Sequence, residues 1–131
     1  MSRASDTKIF FATDIHGSER CFKKFLNAGK FYGADILLMG GDITGKMLVP
    51  IVETAGGQYE TQLFGRRRVV SPEELPALRK QIADAGFYAY ETTPDEIAAF
   101  RENPDLVDDQ FRKVMHATLT SWLDLAEERL A

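Results

Sequence analysis

Thr13-Asp14-Ile15-His16-Gly17 closes one apolar run of the chain, and Gly40-Gly41-Asp42 closes a second. The runs themselves, Lys8 to Ala12 and Ile36 to Met39, break off abruptly into carboxylates, an imidazole and glycines. The stretch Lys8 to Thr13 is rich in aromatic and β-branched residues and is continuously rather than alternately apolar, which predicts a strand covered on both faces. Ser18 stands where a helix N-cap belongs, Phe22, Phe25 and Leu26 fall three and four apart, and Gly29 marks the expected end of that helix. Strand, helix and strand within about 35 residues has the size of a βαβ unit. Its right-handed crossover places both strand ends at one edge of a parallel sheet.

Outward from this unit the chain is unremarkable in bulk. Its 131 residues, 44% hydrophobic and 27% charged, fit one domain with one substantial core and are too apolar for disorder. A net charge of −4 argues against nucleic-acid binding driven by a basic face. The lone Cys21 cannot form an internal disulfide, no signal-like apolar segment follows the polar leader Met1 to Thr7, and no run approaches the ~20 apolar residues that span a bilayer. These features predict a cytoplasmic protein without a membrane partner.

After Asp42 the texture changes. Leu48 to Thr54 is β-prone despite Pro50, Ala55-Gly56-Gly57 makes a turn, and Gln58 to Phe64 alternates, so a two-stranded hairpin is expected, which Arg66 to Val70 can extend. Ser71-Pro72-Glu73-Glu74 is a capping box that opens a helix with the apolar stripe Leu75, Leu78, Ile82 and Ala85, stopped by Gly86. Phe87 to Glu91 is an aromatic stretch that the pattern leaves unassigned. Thr93-Pro94-Asp95-Glu96 repeats the capping logic, and beyond Pro104 the positions Val107, Phe111, Val114, Met115, Leu119, Trp122, Ala126 and Leu130 predict a long amphipathic helix with one face for a core. The expected architecture is α/β, a single domain over 1–131 whose mostly parallel sheet starts βαβ and carries a hairpin and helical insertion over 46–103, the place for a lid or specificity element.

The chemistry gathers at the strand ends. Asp14 and His16 are two apart, so on a chain still extended as it leaves the strand both side chains reach the same side. Asp42 leaves the neighbouring strand, and ligands of open α/β sheets collect outside the carboxyl ends of strands. Two carboxylates and an imidazole suit Mn, Fe or Zn better than Ca. Gly17, Gly40 and Gly41 let the backbone turn sharply and leave room for an anion.

An Asp-x-His-Gly motif closing the first strand and a Gly-Gly-Asp motif closing the next resemble the first two blocks of the calcineurin-like metallophosphoesterases, over about Ile9 to Gly45. The resemblance implies a metallophosphoesterase-like α/β sandwich and a binuclear centre of two divalent transition metals. Asp14 and His16 would bind the first metal and Asp42 would bridge the two. It also implies a metal-bound water as nucleophile and a phosphomonoester or phosphodiester as substrate. The family's third block, a strand-end Gly-Asn-His, has no counterpart after Asp42. The later candidates, Asn103 and His116, lie outside a strand-to-loop context, so the chain is expected to be the N-terminal portion of a longer metallophosphoesterase domain carrying half of the site. A catalytically inactive protein-binding scaffold of the same fold is the alternative. A phosphatase with Asp14 as nucleophile is a further one, although that chemistry wants a second aspartate where His16 stands.

Other residues have simpler readings beside the functional ones. Arg66, Arg67 and Arg68 can pair bidentately with a phosphate of the substrate, or form a solvated face that protects a sheet edge. Thr44 reads as a turn hydroxyl, His116 as a partly buried structural histidine, Cys21 as a small apolar helix residue, and Met115 and Trp122 as core.

Overall fold

A computed structural model describes residues 6–130; Met1 to Ser5 of the polar leader, and Ala131, lie outside the described residues. The elements in order are β1 (Ile9–Ala12), α1 (Glu19–Phe31), β2 (Ile36–Met39), β3 (Leu48–Glu53), β4 (Tyr59–Leu63), β5 (Arg66–Val70), a 3-10 turn (Pro72–Glu74) leading straight into α2 (Leu75–Asp84), β6 (Tyr88–Thr92), α3 (Pro94–Glu102) and α4 (Asp105–Leu130). Among the described residues, no helix is long and apolar enough to cross a membrane.

The βαβ unit forms as the spacing predicts. β1 and β2 pair in parallel, Ile9 opposite Ile36 and Ala12 opposite Met39, with α1 as the crossover. The Ser18 hydroxyl accepts the Cys21 N–H at 3.2 Å, and Glu19 in the first turn and Lys30 in the last complement the helix dipole. α1 does not stop at Gly29 but runs on to Phe31. Gly29 is instead where the helix rests on β2, since a Cβ there would stand 3.1 Å from the Leu37 side chain.

Two expectations about the sheet are corrected. The strands are not covered on both faces: Phe10, Ala12, Leu37 and Met39 pack toward α1 and α4, whereas Ile9, Phe11, Ile36 and Leu38 are 47–58% exposed. Both helices stack on the same face, and a continuous apolar run does not reveal how many faces find a neighbour. Nor is the sheet single and mostly parallel. β1 and β2 form one sheet and β5-β4-β3-β6 form another, in which β3 pairs parallel with β6 but β3–β4 and β4–β5 are antiparallel.

The expected hairpin is therefore a three-stranded meander, and α2 carries the chain back so that the unassigned aromatic stretch becomes β6, with Leu48 opposite Tyr88 and Val52 opposite Thr92. Pro50 is tolerated within β3 because the β3–β4 register covers only Val52 and Glu53. There the Thr61 hydroxyl donates to the Pro50 carbonyl at 2.7 Å.

This second sheet has its own core. Val49, Ile51, Leu63 and Val70 of the strands meet Leu75, Leu78 and Ile82 of α2; Ala85, the last residue of the expected stripe, is exposed. At the start of α2 the Glu74 carboxylate accepts the Ser71 N–H at 3.2 Å and its hydroxyl at 3.0 Å. The Ser71 N–H, then its hydroxyl, and at longer range Arg68 hold the Glu74 carboxyl below its usual pKa. A depressed carboxyl stabilises the fold above its unfolded pKa, about 4.3, and loses that contribution as pH falls through the lower folded value. Glu74→Gln should therefore melt below the parent chain at pH 7, and thermal melts at successively lower pH should show the gap closing.

Thr93 caps α3, its hydroxyl accepting the Glu96 N–H at 3.3 Å. The expected core face of α4 is covered only in part: Trp122 is buried and stacks on Phe22 with centroids 4.4 Å apart. Val107, Phe111, Val114, Met115, Leu119 and Ala126 are half-buried, and Leu130 is exposed. A cavity of about 430 Å³ remains between the two halves, with Gly17, Ala83, Phe87, Tyr88, Val114 and Trp122 on its walls.

Candidate metal centre

Beyond the strands the two loops remain zipped together. The Gly40 N–H donates to Ala12 at 2.7 Å, Asp14 to Gly41 at 3.0 Å, His16 to Asp42 at 2.8 Å and Gly17 to Ile43 at 2.7 Å, each to the backbone carbonyl. The Thr13 hydroxyl adds a bond to the Gly41 carbonyl at 3.1 Å. These bonds hold the Asp14–His16 loop against the loop that carries Asp42.

The three residues converge by a route other than extended alternation. Asp14, His16 and Asp42 have φ of 57°, 54° and 54°, all in the left-handed region. That region is unfavourable for most side chains, with Asp and His among the residues that enter it most readily. Three such residues at one place mark a geometry imposed by its surroundings, as is common where strain serves a site.

Ligand atoms from Asp14, His16 and Asp42 lie within 4.8 Å of one another, and His16 Nε2 stands 3.6 Å from Asp14 Oδ1. Two donors each about 2.1 Å from one ion stand at most about 4.2 Å apart, so the His16–Asp14 pair fits a shared cation as it stands and the widest pair needs only a small inward shift. No described Lys or Arg forms an ion pair with Asp14 or Asp42. Two carboxylates beside an imidazole, about half exposed and without a neutralising Lys or Arg among the described residues, make a donor set that fits one divalent ion.

The other sequence candidates stand elsewhere. Asn103 ends α3, and its Oδ1 accepts the Asp105 N–H at 3.3 Å. His116 is exposed on α4 rather than partly buried. Cys21 is an exposed free thiol rather than an apolar packing residue. Thr44 is exposed in the loop after Asp42.

Arg66, Arg67 and Arg68 lie on β5, the edge strand three spacings, roughly 14 Å, from β6. Arg67 holds Glu60 in a bidentate pair, Nε to Oε1 at 2.6 Å and Nη2 to Oε2 at 3.1 Å, and Arg68 donates to the Gln81 amide oxygen. Among the described residues, no ion pair joins these arginines to Asp14, His16 or Asp42.

Sequence reasoning missed the support behind the cluster. Gly45 and Gly86 meet the back of the Asp14–Ser18 loop, and behind Gly45 the Tyr88 hydroxyl accepts its N–H at 2.7 Å. The local sequence offered only a helix-stop signal at Gly86 and none at Tyr88.

Fold and site together define a mixed α/β chain with a three-residue candidate cation cluster at the ends of a parallel strand pair. No family model, curated protein or solved structure matches the chain.

Proposed function

We propose that Asp14, His16 and Asp42 bind a divalent transition metal, Mn, Fe or Zn, and that this cluster belongs to a metal-dependent phosphoesterase site of the calcineurin-like kind. The observation that carries the reading is the convergence of these three side chains, from left-handed backbone, at the ends of two parallel strands. A divalent ion bound there supplies Lewis-acid chemistry, neutralising a phosphoryl oxygen and acidifying water.

The protein's own residues contribute orientation and space. His16 and Asp14 are held by backbone bonds to the Asp42 loop. Apart from its two chain neighbours, no residue comes within 4 Å of where a Cβ on Gly41 would stand, so the space beside it is open to an anion such as a phosphate ester. A second ion, as in a binuclear centre, would need ligands beyond these three, because no further His, Cys, Asp or Glu joins the group among the described residues. That shortage favours the second reading, a protein-binding scaffold that keeps the cluster without turnover.

Calorimetric titration with Mn²⁺ or Zn²⁺, followed by assay against a generic aryl phosphodiester and an aryl phosphomonoester, separates the two. Metal binding with hydrolysis supports the enzyme, and metal binding without hydrolysis supports the scaffold. Absence of any metal binding overturns the site itself.

A further inference from the structure

Three backbone segments meet behind His16: its own loop, the loop after β2 at Gly45, and the turn from α2 into β6 at Gly86. A Cβ on Gly17 would stand 2.3 Å from the Gly45 Cα, one on Gly45 2.8 Å from the Gly86 carbonyl oxygen and 2.9 Å from the Tyr88 ring, and one on Gly86 2.3 Å from the His16 carbonyl oxygen. None of these approaches leaves room for a side chain. Gly17 and Gly86 also have φ of 73° and 88°, where other residues are strained.

Polar bonds lock the same junction. The buried Tyr88 hydroxyl accepts the Gly45 N–H at 2.7 Å, the Ser18 hydroxyl donates to the Asp84 carbonyl at 2.7 Å, and the Lys46 N–H donates to the Gly86 carbonyl at 3.3 Å. Tyr88 is 4% exposed, so loss of its hydroxyl would leave the Gly45 N–H without that partner in a dry setting. Segment 46–103 supplies no ligand to the cluster, yet its α2–β6 turn touches the His16 backbone directly.

We propose that Tyr88 and the Gly86 turn are positioning residues for the metal site: they hold His16 in its left-handed conformation so that its imidazole meets the two carboxylates. The α2–β6 turn and the start of β6 then serve as the brace of the cluster, in addition to any role of the segment as a lid. This inference rests on the cation reading for its metal arm and on the backbone geometry alone for its second arm.

The test uses the full chain with Tyr88→Phe, which keeps the ring, Gly86→Ala, and Val70→Ala as a destabilised control in the other core cluster. Co²⁺ titration, read by calorimetry and by the visible spectrum of the bound ion, is paired with amide hydrogen exchange at His16 and Gly45 in the metal-free chain. Tyr88→Phe is expected to weaken Co²⁺ binding about 10- to 100-fold, the usual effect of losing support behind a ligand, and to shift the Co²⁺ spectrum. It should also speed exchange about tenfold at Gly45, whose N–H loses its partner, and at least about threefold at His16, whose bond to Asp42 loses the brace behind it. Val70→Ala should lower Tm while leaving Co²⁺ affinity and those two exchange rates within about twofold of the parent.

Unchanged exchange at His16 and Gly45 in Tyr88→Phe overturns the inference whether or not metal binds. Unchanged Co²⁺ affinity and spectrum in a chain whose parent binds Co²⁺ overturns it as well. If the parent binds no Co²⁺, the cation reading fails by itself, and the exchange arm still decides the role of Tyr88. Should Gly86→Ala not fold, Tyr88→Phe carries the result.

Discussion

Asp42→Asn is expected to weaken divalent-metal binding by more than about 100-fold, beyond the 10- to 100-fold typical of losing a residue behind a ligand. The substitution is almost isosteric, and Asn enters the left-handed region as readily as Asp, so the φ of 54° at this position is kept. What changes is the charge: one of two carboxylates in a three-residue cluster becomes a neutral amide. Fold stability of the metal-free chain should stay level or rise, because two neighbouring carboxylates no longer repel. Calorimetric titration with Mn²⁺ alongside a thermal melt reads both effects. Arg67→Ala is the matched control, since Arg67 sits on the far edge strand in its pair with Glu60 and should leave metal affinity unchanged. Equal effects from the two substitutions would remove Asp42 from the site.

Ile82→Ala should destabilise the fold by about 2–5 kcal/mol, measured by urea unfolding. Ile82 is fully buried and belongs to the cluster in which α2 covers β3, β4 and β5. The methyl groups removed leave a void between a helix and a sheet that are both tied at their ends, at the capped start of α2 and at the Gly86 turn, so the site has little freedom to collapse. For a domain with about 5–15 kcal/mol in total, this is a large share. Ile82→Val, which removes one methylene, should cost about 0.5–1.5 kcal/mol and serves as the graded comparison.

The helices were legible because their starts carry local chemistry. Ser18, Ser71 and Thr93 each announce a first turn, and the Phe22, Phe25, Leu26 and Leu75, Leu78, Ile82 stripes name the buried faces. β2 was equally plain, bounded by Asp35 and Gly40. β6 was not, because Tyr88 to Thr92 becomes a strand through parallel pairing with β3, some 40 residues earlier, and nothing local marks that partner.

The apolar run of β1 showed burial but not its sidedness, so the exposed Ile9 and Phe11 came as a correction. The members of the cluster were visible as residue types at strand ends. Their means of convergence was not: the left-handed backbone at Asp14, His16 and Asp42 has no local glycine-like signature, and the Gly86 turn that packs against His16 lies about 70 residues away in sequence.

The cavity between the two halves bears on how the chain comes apart. The cluster around Phe22, Phe25, Leu26 and Trp122 and the cluster around Ile51, Leu78 and Ile82 share no buried residue. Between them lie an open pocket, the glycine junction and a ring contact between Tyr88 and Phe111 at 5.6 Å. The halves are joined by the Ser18–Asp84, Tyr88–Gly45 and Lys46–Gly86 bonds and by packing of α1 against α2 and of α4 against β6, so opening of either half is coupled to the other through this seam. A cation that joins the Asp14–His16 loop to Asp42 would stabilise the first half by mass action and pass that gain to the second through the seam.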